Sequence, residues 1–115
     1  MRAEGQAYIT RIEAALDLVR LALDWDRALR RLDELDARVQ DPKLWDNPKQ
    51  AQAISREQKT LATAVNTVNE IASEMADAIE FITMGEAEGE DSIVHDGLRT
   101  LERLADRADA DKVQA

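Results

Sequence analysis

The feature that most narrows what this chain can fold into is a run of apolar residues between Ala51 and Ile82. Ala51, Ile54, Gln58, Leu61, Val65, Val68, Ala72, Met75, Ile79 and Ile82 alternate steps of three and four, with Gln58 the only polar member. This is a heptad seam: it places every member on one stripe of an α-helix, and that stripe needs other helices to cover it. Period-two alternation with β-branched enrichment does not occur over four or more residues, so no strand pattern competes. The seam predicts a helix from Pro48 to about Met84, roughly 55 Å long at about 1.5 Å per residue. A compact domain of this size is narrower than that, so the rod is expected to project or to lie against antiparallel neighbours.

The flanking segments are helical too. Ile9, Ile12, Leu16, Val19 and Leu23 mark a first helix over roughly 5–23. Its stripe falters at Asp24-Trp25-Asp26, where either aspartate is suited to cap a second helix over roughly 25–40. Trp25, Leu29, Leu32, Leu35 and Val39 form the inner side of that helix, and Asp26→Arg30 and Glu34→Arg38 are spaced to pair. Pro42 disfavours helix at Asp41 by clashing with the preceding backbone, so Asp41 to Pro48 reads as an ordered loop. At its end Asn47 is a cap, Pro48 suits the first helical position, Gln50 completes a capping box, and Asp46 favours the positive end of the helix dipole. Gly85 and Gly89 are expected to end the long helix in an acidic turn. Asp91 or Ser92 then caps a fourth helix over roughly 92–110, with Val94, Leu98, Leu101, Ala105 and Ala108 inward. Gly97 should weaken that helix by about 1 kcal/mol relative to alanine. The fold class is therefore all-α: one elongated, antiparallel, coiled-coil-like bundle of about four helices with one long central helix.

Composition removes most chemistry. The 115 residues hold no cysteine and a single histidine, His95, so thiol nucleophiles, disulfides and a histidine–cysteine metal cluster are excluded. Asp109-Ala-Asp111 and the Glu86/Glu88/Glu90/Asp91 group lack the loop, glycine and closing glutamate of a calcium site. No phosphate-cradling glycine loop is present. No catalytic residue, metal ligand or cofactor site is assigned. Arg27, Arg30, Arg31 and Arg38 form the densest basic region; an arginine pocket binding a dianion is weaker than the reading in which neighbouring acids pair with them. The first residues lack a signal-peptide block and no apolar run is long enough to span a membrane, so a soluble cytoplasmic domain is expected.

Charge is unevenly spread. Residues 1–60 carry eleven bases and eleven acids, while residues 61–115 carry four bases and thirteen acids, the source of the net −9. Such a field repels phosphate and suits basic protein surfaces, so direct nucleic-acid binding by this acidic half is not expected. Trp25 and Trp45 each sit beside acids at a helix boundary. Rings that close the end of a thin bundle, with the indole N–H on a nearby carboxylate or carbonyl, are the first reading, and partner docking the second.

Asp24, Trp25, Asp26, Leu44, Trp45, Asp46, Asn47 and Pro48 also carry a resemblance. Leu23-Asp24-Trp25-Asp26, then Asp41-Pro42-Lys43-Leu44-Trp45-Asp46-Asn47-Pro48 and Ala51-Gln52-Ala53, resembles the N-terminal domain of bacterial class I translation release factors of the release factor 2 type. The resemblance covers essentially the whole chain, the acidic Gly85–Asp91 turn included. It implies a helical domain of a factor that terminates translation at UAA and UGA codons. It also implies ribosomal partners at the stalk base, and contacts with the class II release factor and with the glutamine methyltransferase that modifies a Gly-Gly-Gln loop. Neither Gly-Gly-Gln nor a codon-reading Ser-Pro-Phe occurs here. The expectation is therefore a non-enzymatic docking fragment, with a free-standing helical adaptor or inhibitor as the alternative.

Overall fold

The computed structural model describes residues 1–115 and is all-α. Helices α1 (Ala3–Leu23), α2 (Trp25–Val39), α3 (Pro48–Glu88) and α4 (Asp91–Gln114) follow one another, with a 3-10 turn at Pro42–Asp46 and no strand. The chain forms two compact units, one of Met1–Ala22 with Val68–Ala115 and one of Leu23–Thr67.

In the first unit the inward stripes foreseen for α1 and α4 are buried: Ile9, Ile12, Leu16 and Val19 on one, Val94, Leu98, Leu101, Ala105 and Ala108 on the other. Helices α1 and α4 run parallel. Arg99 pairs with Glu4 at 2.7 Å, the Tyr8 hydroxyl donates to Glu102 at 2.8 Å, and Arg11 pairs with Asp106 and Asp109, so residue numbers rise together along both helices. Helices α3 and α4 are antiparallel: Arg107 pairs with Glu70 and Glu74 far from the turn, while Gly97 faces Ile82 nearer to it. The expected antiparallel packing thus holds for α3 and α4 but not for α1 and α4, because three roughly aligned helices cannot all oppose one another.

The seam of α3 departs from a strict heptad. Ala51, Ile54, Val65, Val68 and Ile82 are buried, but Ile71 and Ala78, absent from the expected set, are buried too, while Gln58, Leu61, Ala72, Met75 and Ile79 are only half-buried. A three-residue step from Val68 to Ile71 replaces the expected four. It falls beside the boundary of the two units, between Thr67 and Val68.

The helix also runs past its expected end. Gly85 is helical and buried, and a Cβ there would lie 2.7 Å from the Ile93 side chain. Its role is close approach of α4, not termination. Gly89 alone ends α3, at φ +67°, with the Glu90 N–H donating to the Gly85 carbonyl at 2.9 Å and the Gly89 N–H donating to the Glu86 carbonyl at 3.3 Å. That is a Schellman motif, in which a left-handed residue satisfies the last carbonyls. Glu90 therefore occupies the cap of α4, without a side-chain cap bond, and Asp91 is already helical, so neither Asp91 nor Ser92 is the cap.

Aspartate capping at the start of α2 fails for a similar reason. Asp24 is the single residue between α1 and α2 and sits at φ 55°, ψ 72° with no side-chain cap bond. A capping side chain reaches the first-turn N–H groups from extended backbone, which this one-residue connection excludes. Asp26 lies inside the helix. At α3, by contrast, the Asn47 side chain accepts the Gln50 N–H at 3.2 Å ahead of Pro48.

Candidate functional site

Both motifs singled out by the sequence lie in the unit of Leu23–Thr67. They sit at opposite ends of the 15-residue α2, separated by roughly 20 Å of helix axis. In the 3-10 turn the Asp41 carboxylate accepts the Lys43 N–H at 3.0 Å, and the Leu44 N–H bonds the Asp41 carbonyl at 3.1 Å. This turn drives Leu44 inward, where it joins Leu35, Ala51 and Ile54, with Val39 and Leu61 packed alongside. Leu44, not Trp45, fills the core here. Trp45 keeps 57% of its surface exposed, and its indole N–H donates to the Val39 carbonyl at 3.4 Å. The foreseen indole hydrogen bond is present, yet the ring is not a plug. Trp25 is half-buried, and Asp24, Asp26, Asp46, Asn47 and Pro48 are exposed.

The arginines of α2 do not pair as their spacing suggested. Arg31 forms a two-pronged bond to Glu57 of α3, at 2.7 and 2.8 Å, and also reaches Glu34 at 3.1 Å. The fork raises the Arg31 pKa above its ordinary value and lowers that of Glu57. Glu34 therefore goes to Arg31 and not to Arg38, and Asp26 does not reach Arg30. Arg31 thus holds a local acid three residues on and a second one 26 residues away, and spacing along a single helix carried no sign of the latter. Arg27, Arg30, Arg31 and Glu34 line a hollow of about 420 Å³ whose named walls all come from α2. Within that crease Arg31 is already held by Glu57 and Glu34, while Arg27 and Arg30 face solvent.

The first unit presents the acidic surface. Arg107 engages Glu70 and Glu74, and the chain's amino terminus lies 3.5 Å from Glu86. Asp77, Glu80, Glu88, Glu90, Asp91 and Asp96 are exposed and have no cation within pairing distance. Asp77, Glu80 and Glu88 on α3, Glu90 in the turn, and Asp91 and Asp96 on α4 thus form an uncompensated field. His95 is exposed on α4, and no group of three potential ligands converges to hold a metal ion. No helix is long and apolar enough to cross a membrane.

Four helices with apolar seams and open, charged faces define an all-α, bundle-type domain. Residues 28–113 match the PCRF domain, and the chain belongs to that family. It is similar to the peptide chain release factor 2 of Caulobacter sp. (strain K31), with 45% identity over 92 residues, 80% of this chain and 25% of that protein. It is 38% identical to the peptide chain release factor 2 of Ruegeria sp. (strain TM1040) and 42% identical to that of Roseobacter denitrificans, over all of this chain and 31% of each. The chain therefore spans less than a third of the length of these relatives.

Proposed function

We propose that this chain is a non-catalytic docking module of a translation release factor, holding such a factor on the ribosome through protein contacts. The observation that carries the reading is the set of six unpaired carboxylates on α3, α4 and the turn between them, in a family whose relatives bear the name release factor 2. An uncompensated acidic field favours basic protein surfaces, of which ribosomal proteins at the stalk base are the chemically fitting case. Stop-codon choice at UAA and UGA belongs, in this reading, to the remainder of such a factor. The class II release factor and the glutamine methyltransferase are further partners of the same kind. The exposed Trp45 offers these proteins an aromatic anchor beside the acidic Asp46. The reading places the module in the cytoplasm, with no cofactor.

The test is sedimentation of the labelled chain with 70S ribosomes across a salt series. Binding that weakens with salt, and that drops when Asp77, Glu80, Glu88 and Asp91 become the corresponding amides, supports the reading. Ribosome binding indifferent to those four substitutions overturns it.

A further inference from the structure

The chain's densest arginine cluster lies on α2. At about 100° per residue, Arg27, Arg30, Arg31 and Arg38 fall within an arc of about 100°, with Glu34 among them, over roughly 16 Å of helix. Arg31 consumes Glu34 by its ion pair. Arg27 and Arg30 make no hydrogen bond or ion pair, and Arg38 makes none either, its charge serving only to help lower the Glu57 pKa. Elsewhere, Arg11, Arg99 and Arg107 each hold two carboxylates. Past the end of α2, Arg38 and Lys43 line a second hollow with Asp41, whose carboxylate is already taken by the Lys43 backbone N–H. Arg2, Arg56 and Arg103 also lack a carboxylate partner but stand apart in sequence, whereas α2 sets three such guanidinium groups on one open face of a chain whose net charge is −9.

We infer that this face binds the phosphodiester backbone of RNA. Guanidinium forks match phosphate oxygens two at a time, and a line of them along one helix tracks a polyanion. An acidic protein would be the other polyanion. Protein interfaces are commonly centred on an apolar or aromatic anchor, the part given above to Trp45, whereas the hollow of Arg27, Arg30, Arg31 and Glu34 offers only charged side chains. Binding to the backbone gains its free energy from released counterions and needs no apolar contact. The acidic first unit opposes RNA, so the contact is local to α2, weak and strongly dependent on salt. The inference adds to the docking reading a second contact of opposite chemistry, and rests on that reading only for the source of the RNA.

The probe is a fluorescein-labelled single-stranded RNA of mixed sequence, followed by anisotropy with the 115-residue chain from 25 to 200 mM KCl. The Arg27→Gln, Arg30→Gln, Arg38→Gln triple variant alters exposed or half-exposed groups without structural partners, and unchanged far-ultraviolet circular dichroism confirms its fold. The expected result is saturable binding at low salt, with the slope of log K against log salt flattened by about 2 in the triple variant, three contacts at about 0.7 each, and affinity at 50 mM reduced more than tenfold. Glu34→Gln, which removes the one carboxylate on this face while Arg31 stays held by Glu57, should tighten binding. No anisotropy change at 25 mM, an unaltered slope in the triple variant, or equal affinity for polyglutamate would each overturn the inference. Loss of ribosome sedimentation with RNA binding intact would instead overturn the docking reading alone, so the two fail separately.

Discussion

Gly97→Ala is a substitution on which helix propensity and packing disagree in sign. Propensity alone makes alanine better by about 1 kcal/mol in a helix interior. In the structure, a Cβ at Gly97 would sit 2.3 Å from Ile82 Cγ1 and 3.0 Å from its Cδ1, and Ile82 is wholly buried. Ile82 cannot give way without displacing its own neighbours, and overpacking of this kind costs about 1–3 kcal/mol. The net effect is a destabilisation of up to about 2 kcal/mol, which for a chain of this length lowers Tm by several degrees. Ile82→Ala alone should cost about 2–5 kcal/mol through the cavity it leaves. In that background Gly97→Ala gains room and recovers its propensity advantage, so the two substitutions should show a favourable coupling of about 1–3 kcal/mol. Urea unfolding of the four proteins, followed by circular dichroism at 222 nm, measures this directly. A Gly97→Ala variant stabilised by the full propensity increment in the unaltered chain would refute the close approach of α3 and α4.

Other outcomes follow from the same geometry. Gly89→Ala, at φ +67° with open space around it, should cost about 1 kcal/mol or more, and Gly89→Asn less, because asparagine tolerates the left-handed region; urea midpoints distinguish them. Leu44→Ala should lower stability by about 2–5 kcal/mol, as expected of a buried leucine. Trp45→Ala, at 57% exposure, should cost well below that, in contrast to the several kcal/mol expected of a ring closing the bundle; equal losses would show that the indole is buried after all. Hydrogen bonds to Glu102 and, less strongly, Glu4 push the Tyr8 hydroxyl up to about 12. Because the folded value lies above the ordinary one near 10, its contribution to stability is complete below pH 10 and is lost as pH rises through about 12. Absorbance at 295 nm should show that titration, and Glu102→Gln should bring the midpoint down.

What could be read in advance was whatever depended on period. The stripes of α1 and α4 are set by spacing of three and four, and every inward residue named for α4 is buried. The cap at Asn47 was legible because it depends only on residues within one turn. Features decided by residues distant in sequence were not. Gly85 looked like a helix terminator because a glycine's need for space beside Ile93 leaves no local trace. Arg31 found Glu57 on α3, a partner that spacing along α2 does not show, and it also took Glu34, which that spacing matches with Arg38. Of the two motif stretches, the sequence marked Trp45 for its size. The turn geometry instead sends its neighbour Leu44 inward and leaves the ring outside.

The central claim, a helical module that occupies a release factor's place and performs no reaction, is tested most directly by adding the purified chain to ribosomes programmed with a stop codon and carrying labelled peptidyl-tRNA. On its own it should release no peptide, and in excess it should slow release by a full-length factor in proportion to its concentration. Peptide released by the chain alone, or a full-length factor indifferent to a large excess of it, would contradict the account.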